Sequence, residues 1–444
     1  MQHRGRHRRR KRGRALRAVL AGTALALTAA ATMISASQAT VPDDPGALRP
    51  LASAADTAKL RLEERPVPYR TLDRLTSAMG RPVGVDTVLR SADRTLRDAA
   101  DCTDGARETL PAAPAAERAY CWDPADAATP DWRPASVTTS ADADDDGLWG
   151  GHRVVLAGST HSTTAGTATD RGLARVAFVD ADDPARLTYR WVLLVVPTSG
   201  GSDYRGLSSQ VAGMVWYQDK LLVTTTTGSA DALYVYDLGR IQRTTADTTA
   251  IGRVPGGFSA DGYRYVMPAV AAYRYPAGRC TATGSPCPGT ISLDRGTAPD
   301  SLVVAERTAV DSDRRARLWR YSFSSDPARS GLLARDAAGM TDAVEAYSTR
   351  AAGIRGVLSY RPPGSTRTFW YLAHPPDELQ GHGSLWREDT AGAQAARCGG
   401  DFTHHCWAEQ GGSLSYAQRT GEVWSVTDRM LFTVPLADID RSLQ

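Results

Sequence analysis

The feature that most limits the fold is a recurring pair of short apolar runs between about positions 150 and 436. Residues 153–157 are followed by 174–180, and 221–225 by 233–238. The pattern returns at 301–305 with 318–323, 368–372 with 384–388, and 423–426 with 430–434. Clusters of Gly, Pro, Asp and Ser separate the runs, so each reads as a strand between turns. A third run, opened by glycine, precedes the pair at 213–217, 356–360 and 412–416. A fourth recurs at 189–193 and 263–267. Irregular repeats of roughly 50–80 residues with three or four strands each are the pattern of propeller blades. Small sheets packed face to face bury both faces, which accounts for apolar runs without strict alternation. The predicted fold is all-β: a β-propeller of five blades, or six if residues 263–293 hold one of their own. A single sandwich is too small for about 290 residues of short strands.

The N-terminal third has a different texture. Residues 1–39 read as a secretory signal peptide. Nine Arg and Lys residues stand there without an acidic one, residues 18–34 are apolar, and Ser37 and Ala39 occupy the −3 and −1 positions of a cleavage site. Nothing later in the chain approaches the ~20 apolar residues of a membrane span. Residues 40–125 are predicted to form a helical segment, with helices at 52–62 and 87–100, and a connector. In the second helix Val88, Leu89, Ala92, Leu96 and Ala99 recur at three- and four-residue steps. Residues 126–149 read as an acidic linker, and residues 150–444 as the propeller domain.

Export changes the charge balance. The whole chain carries 52 basic against 49 acidic residues; without the leader the basic count is 43, a net charge of about −6. A chain of that charge lacks the electrostatic footprint of a nucleic-acid binder. In an oxidising compartment the six cysteines are expected to pair with their nearest neighbours: Cys102 with Cys121, Cys280 with Cys287, and Cys398 with Cys406. Zinc is the competing reading, since His404 and His405 stand beside Cys406. No Cys-x-x-Cys pair completes a four-ligand set.

The chain resembles actinobacterial secreted, propeller-like proteins of unassigned activity. The resemblance rests on Tyr120-Cys121-Trp122-Asp123, residues 172–180, 189–197 and 212–217, Ser292-Leu293-Asp294-Arg295 with Pro299-Asp300-Ser301-Leu302, and 414–416 with 424–427. It implies export and a propeller fold. It also implies a histidine near position 210, where this chain has Gln210. Residues 233–237 and 424–427 are similar to strands of calcium-dependent lactonase propellers, whose metal centre takes Asn side chains. This chain contains no Asn.

Candidate chemistry falls in three places. Asp142, Asp144 and Asp146 with Gly147 have the spacing of a calcium loop, although its twelfth position is Arg153 instead of a bidentate Glu. No Gly-x-Ser-x-Gly elbow and no His-Glu-x-x-His helix occur. At the mouth of a propeller channel the assigned strands place Gln210, Glu345, Tyr347, Glu409 and Gln410, with Asp294 and Glu306 on neighbouring runs. A pair of those carboxylates would suit a glycoside hydrolase. Gln210, Gln410 and Trp407 are the candidate binding residues, and Trp132, Trp149 and Trp407 the aromatic residues expected on surface loops. His161, His374, His382 and His405 read as surface residues. The function expected is that of a monomeric, extracellular binding or interaction protein with polysaccharide as the ligand class and no required cofactor. The alternative is an extracellular hydrolase of glycosides or lactones.

Overall fold

The computed structural model describes residues 44–162, 164, 172–225, 230–281, 284–376, 381–399 and 403–443. The expected signal peptide, residues 1–39, lies outside them. Residues from Gly46 to the C-terminus form one compact unit.

The unit is predominantly β. Five four-stranded antiparallel meanders follow one another. Sheet I runs Trp132–Thr139, Val154–His161, Ala174–Asp180 and Thr188–Thr198. Sheet II runs Met214–Tyr217, Lys220–Thr224, Asp231–Asp237 and Tyr265–Arg274. Sheet III comprises Pro288–Asp294, Ser301–Glu306, Ala316–Ser322 and Glu345–Thr349. Sheet IV comprises Gly356–Tyr360, Phe369–His374, Ser384–Glu388 and Ala393–Ala395. Sheet V takes three strands from the C-terminal end, Ser415–Ala417, Glu422–Val426 and Met430–Pro435, and its fourth, Arg118–Cys121, from far earlier in the chain.

The packing between sheets explains the apolar runs. Alternate residues of one strand serve two different cores. Met214 and Trp216 face Leu156 and Phe178 of sheet I, while Val215 and Tyr217 face Leu293 and Trp319 of sheet III. Val303 and Leu318 of sheet III meet Val357 and Trp370 of sheet IV. Leu358 and Tyr371 then meet Val423 and Phe432 of sheet V. Trp424 and Leu431 of sheet V close onto Val155 and Tyr189 of sheet I. Each sheet thus shares one core with its predecessor and one with its successor, and the fifth meets the first. Burial of each such large side chain stabilises by about 1.5–3 kcal/mol.

The first strand of each sheet is the inner one, and these strands approach closely at their starts. A side chain at Gly213 would sit 2.5 Å from the Ile291 nitrogen, and one at Gly356 would sit 2.3 Å from the Gly412 oxygen. The glycines that open the third run are therefore steric requirements. The outer strands of sheets I and II, containing the two similar runs 189–193 and 263–267, pair with each other in parallel, Val266 opposite Leu193. Among the described residues of 263–293 there is no sixth sheet. They supply the last strand of sheet II and the first of sheet III.

Three boundaries differ from the sequence reading. The acidic linker, 126–149, contains the inner strand of sheet I, Trp132–Thr139; its Pro134 concealed a strand that is irregular at that point, where the register shifts. The helix expected at 87–100 stops at Leu89, and Leu96 is buried beneath short extended segments. The helix expected at 52–62 covers only Ala54–Ala58, while Tyr69–Met79 forms the longest helix described. Tertiary pairing overrides local periodicity here, because this segment edges the sheets. Arg49–Pro50 joins sheet III, Leu62–Pro66 joins sheet II, Arg94–Thr95 joins sheet I, and Arg97–Asp98 joins sheet V. Outer strands so covered no longer present open edges. All three expected disulfides are present: Cys102–Cys121, Cys280–Cys287 and Cys398–Cys406. Among the described residues no helix is long and apolar enough to cross a membrane.

Candidate functional site

Where the five inner strands begin, a cavity of about 670 Å³ opens, and all five sheets contribute to it. Sheet I supplies Arg133, Pro134 and Ala135, and the segment leading into sheet II supplies Gln210 and Ala212. Arg307 follows the second strand of sheet III, and Arg355 directly precedes the glycine that starts sheet IV. Glu409 and Gln410 precede sheet V, and Asp428 lies in the turn between its second and third strands. The size lies within the ~300–1,000 Å³ of small-molecule sites.

The electrostatics of this cavity are uneven. The Nη2 of Arg307 donates to the Gln210 side-chain oxygen, a neutral acceptor. Its Nη1 is shielded from water without an acceptor. Among the described residues no carboxylate lies within ion-pair distance of Arg307, Arg355 or Arg133. Burial, and then the neighbouring positive charge of Arg355, pushes the Arg307 guanidinium below its ordinary value. Burial does the same to Arg355. Burial also pushes Asp428 upward, against the opposing effect of a hydrogen bond from Gln410 Nε2 at 2.6 Å and the charges of Arg133 and Arg429. Gln410 adopts a left-handed backbone (φ 68°), uncommon for a side chain larger than glycine.

Gln210, Glu409 and Gln410 thus line the cavity; the other expected site residues lie elsewhere. Asp294 sits at the far end of its inner strand, 2.5 Å from Arg320 Nη1. Glu345 belongs to the outer strand of sheet III and also pairs with Arg320, at 2.6 Å. Glu306 is buried between Arg314 and Arg317, each at 2.8 Å. These carboxylates are consumed by structural ion pairs. Trp407 is not a surface aromatic: it is 1 % exposed and packs on Phe432. The Cys398–Cys406 link and a backbone bond to Gly383 hold its loop inward. Trp149 packs against Trp216 at 5.1 Å. Trp132 and Trp191 each pack on the buried guanidinium of Arg175, at 4.0 and 3.7 Å. His161 and His374 are buried, each with Nδ1 near a backbone carbonyl.

The calcium loop is also corrected. Asp142 is buried and accepts hydrogen bonds from Thr138 Oγ1 at 2.6 Å and Ser415 Oγ at 2.7 Å. Asp144 accepts from the Asp146 backbone, and Asp146 from the Leu148 backbone. The carboxylates therefore serve local turns and an inter-sheet network, and do not converge. The convergent group among the described residues is His152, Asp180 and Asp182, where His152 Nδ1 already meets Asp182 at 2.7 Å.

Sequence reasoning missed Arg133, Arg307, Arg355 and Asp428. The available signal was positional: Arg355 stands immediately before one of the three glycine-led runs.

No family model and no curated protein matches the sequence. Among solved structures, Drosophila Plexin A in complex with Semaphorin 1b aligns at 9% identity and a TM-score of 0.24, over 64% of this chain and 71% of that one. Drosophila Semaphorin 1a, extracellular domains 1–2, aligns at 10% identity and a TM-score of 0.23, over 65% and 72%. Scores this low do not separate a shared fold from shared β content.

Proposed function

We propose that this chain is an exported five-bladed β-propeller that binds a ligand in the cavity where its inner strands begin. The blades are sheets I–V, with Arg118–Cys121 completing the last. The observation that carries the binding reading is the pair Arg307 and Arg355, partly buried beside a cavity without carboxylate partners. A fold that keeps such cations unneutralised is arranged for a group that arrives from outside. The three disulfides support an oxidising, extracellular setting.

The test is a thermal-shift and calorimetric screen of the secreted protein against soluble polysaccharide fragments. Stabilisation by a ligand, lost on Ala212→Trp, which fills the cavity, is the expected result. Stabilisation unchanged by that variant would overturn the placement. A second reading, hydrolysis of glycosides or lactones, is favoured by one observation: Glu409 and Asp428 line the same cavity, and Asp428 is held toward its neutral form. That reading requires turnover of a chromogenic substrate that Asp428→Asn and Glu409→Gln each reduce by at least about 100-fold.

A further inference from the structure

Given a ligand in this cavity, the charges around it restrict the ligand's chemistry. Arg307 and Arg355 come from adjacent sheets III and IV and line the same cavity, and the charge of Arg355 acts on Arg307. Arg307 has a neutral side-chain partner, Gln210, and a shielded Nη1 with no acceptor. Two like charges brought together in a partly desolvated place are costly unless an anion lies between them. Most of the buried arginines elsewhere are neutralised within the fold, Arg315, with a shielded Nη1 and no ion pair among the described residues, being an exception. Arg320 pairs with Asp294 and Glu345, Arg317 with Glu306, and Arg329 with Glu64. Arg175 is held by Asp126 at 3.4 Å and by two indoles.

Next to the cationic side, sheet V presents acceptors. Glu409 and Asp428 line the cavity, and Gln410 is fixed by its bond to Asp428. Acceptors of this kind suit hydroxyl donors and repel a second anionic group. A guanidinium pair beside carboxylate acceptors therefore matches one molecule with an oxyanion at one end and hydroxyls at the other.

We propose that the cavity recognises an acidic sugar, its oxyanion against Arg307 and Arg355 and its hydroxyls toward Glu409 and Asp428. This rests on the binding reading above and adds the ligand class. The oxyanion is a carboxylate, as in a uronic acid, or a sulfate ester; both use the same guanidinium chemistry.

The experiment is isothermal titration of the full mature protein with four probes: an oligogalacturonate, the matching neutral galacto-oligosaccharide, a sulfated galacto-oligosaccharide, and inorganic sulfate. Binding of one acidic oligosaccharide at least about tenfold tighter than the neutral one is expected. Arg307→Gln and Arg355→Gln should each weaken it by about tenfold or more, without changing the circular dichroism spectrum. The uronate and sulfated arms identify which oxyanion is preferred. Equal binding of neutral and acidic sugars, blocked by Ala212→Trp, would overturn the acidic class and leave the binding site standing. Inorganic sulfate binding as tightly as either acidic sugar would overturn the sugar component. Binding of none of the four would overturn this inference; failure of the wider ligand screen as well would remove the binding reading with it.

Discussion

The two ends of the inner strands are built from similar residues to different effect. At the far ends, the buried Arg320 meets Asp294, Glu345 and Ser359 Oγ, and joins sheet III to sheet IV. Arg295 donates to the Asp142 carbonyl at 2.8 Å and pairs with Asp145 and Asp300. Asp142 takes hydroxyl donors from sheets I and V, and Thr138 Oγ1 in turn accepts from the Trp216 nitrogen of sheet II. At the starting ends Arg307 and Arg355 have no such counter-charge, and a cavity stands beside them. The contrast separates charges that the fold neutralises internally from charges that have no carboxylate partner among the described residues.

The comparison can be broken by substitution. The largest effect is expected for Arg320→Ala, which strands Asp294 as an uncompensated buried carboxylate. A loss of about 3–5 kcal/mol in chemical denaturation is predicted, with the affinity of any cavity ligand unchanged. Asp142→Ala leaves the Thr138 and Ser415 hydroxyls without their acceptor and is predicted to cost about 2–3 kcal/mol. Calcium or chelator should not alter that loss.

The starting end should respond with the opposite sign. Arg355→Met removes a partly buried cation that has no counter-charge, so the unliganded protein should gain about 0.5–1 kcal/mol. A loss comparable to that of Arg320→Ala would show that Arg355 has a structural partner after all.

The smallest effect is expected for Asp428→Asn. Burial raises the carboxyl above its ordinary range, so the folded state favours its protonated form. Its contribution to stability is fully present below the unfolded carboxylate value, about pH 4, and is lost as pH rises through the raised value. The variant lacks this dependence. It should be slightly more stable than the parent at neutral pH, and the difference should shrink toward about pH 4.

Much of the fold was legible because a strand serving two cores must be apolar on both faces. Runs such as 214–217 and 430–434 could hardly belong to anything else. The disulfides were legible because the partners are neighbours in sequence. The first inner strand was not, since Pro134 and a flanking acidic stretch disguise it. The outer strands at 49–50, 62–66 and 94–98 were not either, because they are short and draw their structure from the sheets they edge. For the site, glycines before three inner strands marked where the mouth forms, and Gln210, Glu409 and Gln410 were assigned to it. Glu345, Asp294 and Glu306 were misplaced because sequence spacing does not reveal which carboxylates have already met an arginine. Arg307 and Arg355 were missed for the converse reason. In a chain with 52 basic residues, nothing local distinguishes the two that come together at the cavity.

The most direct test of the account is a crystal structure of the mature protein soaked with an oligogalacturonate and, separately, with a sulfated galacto-oligosaccharide. The account predicts an acidic sugar in the cavity, its oxyanion within hydrogen-bond distance of Arg307 or Arg355 and its hydroxyls facing Glu409 or Asp428. Arginines engaged by protein carboxylates, with neither sugar in the cavity, would contradict it.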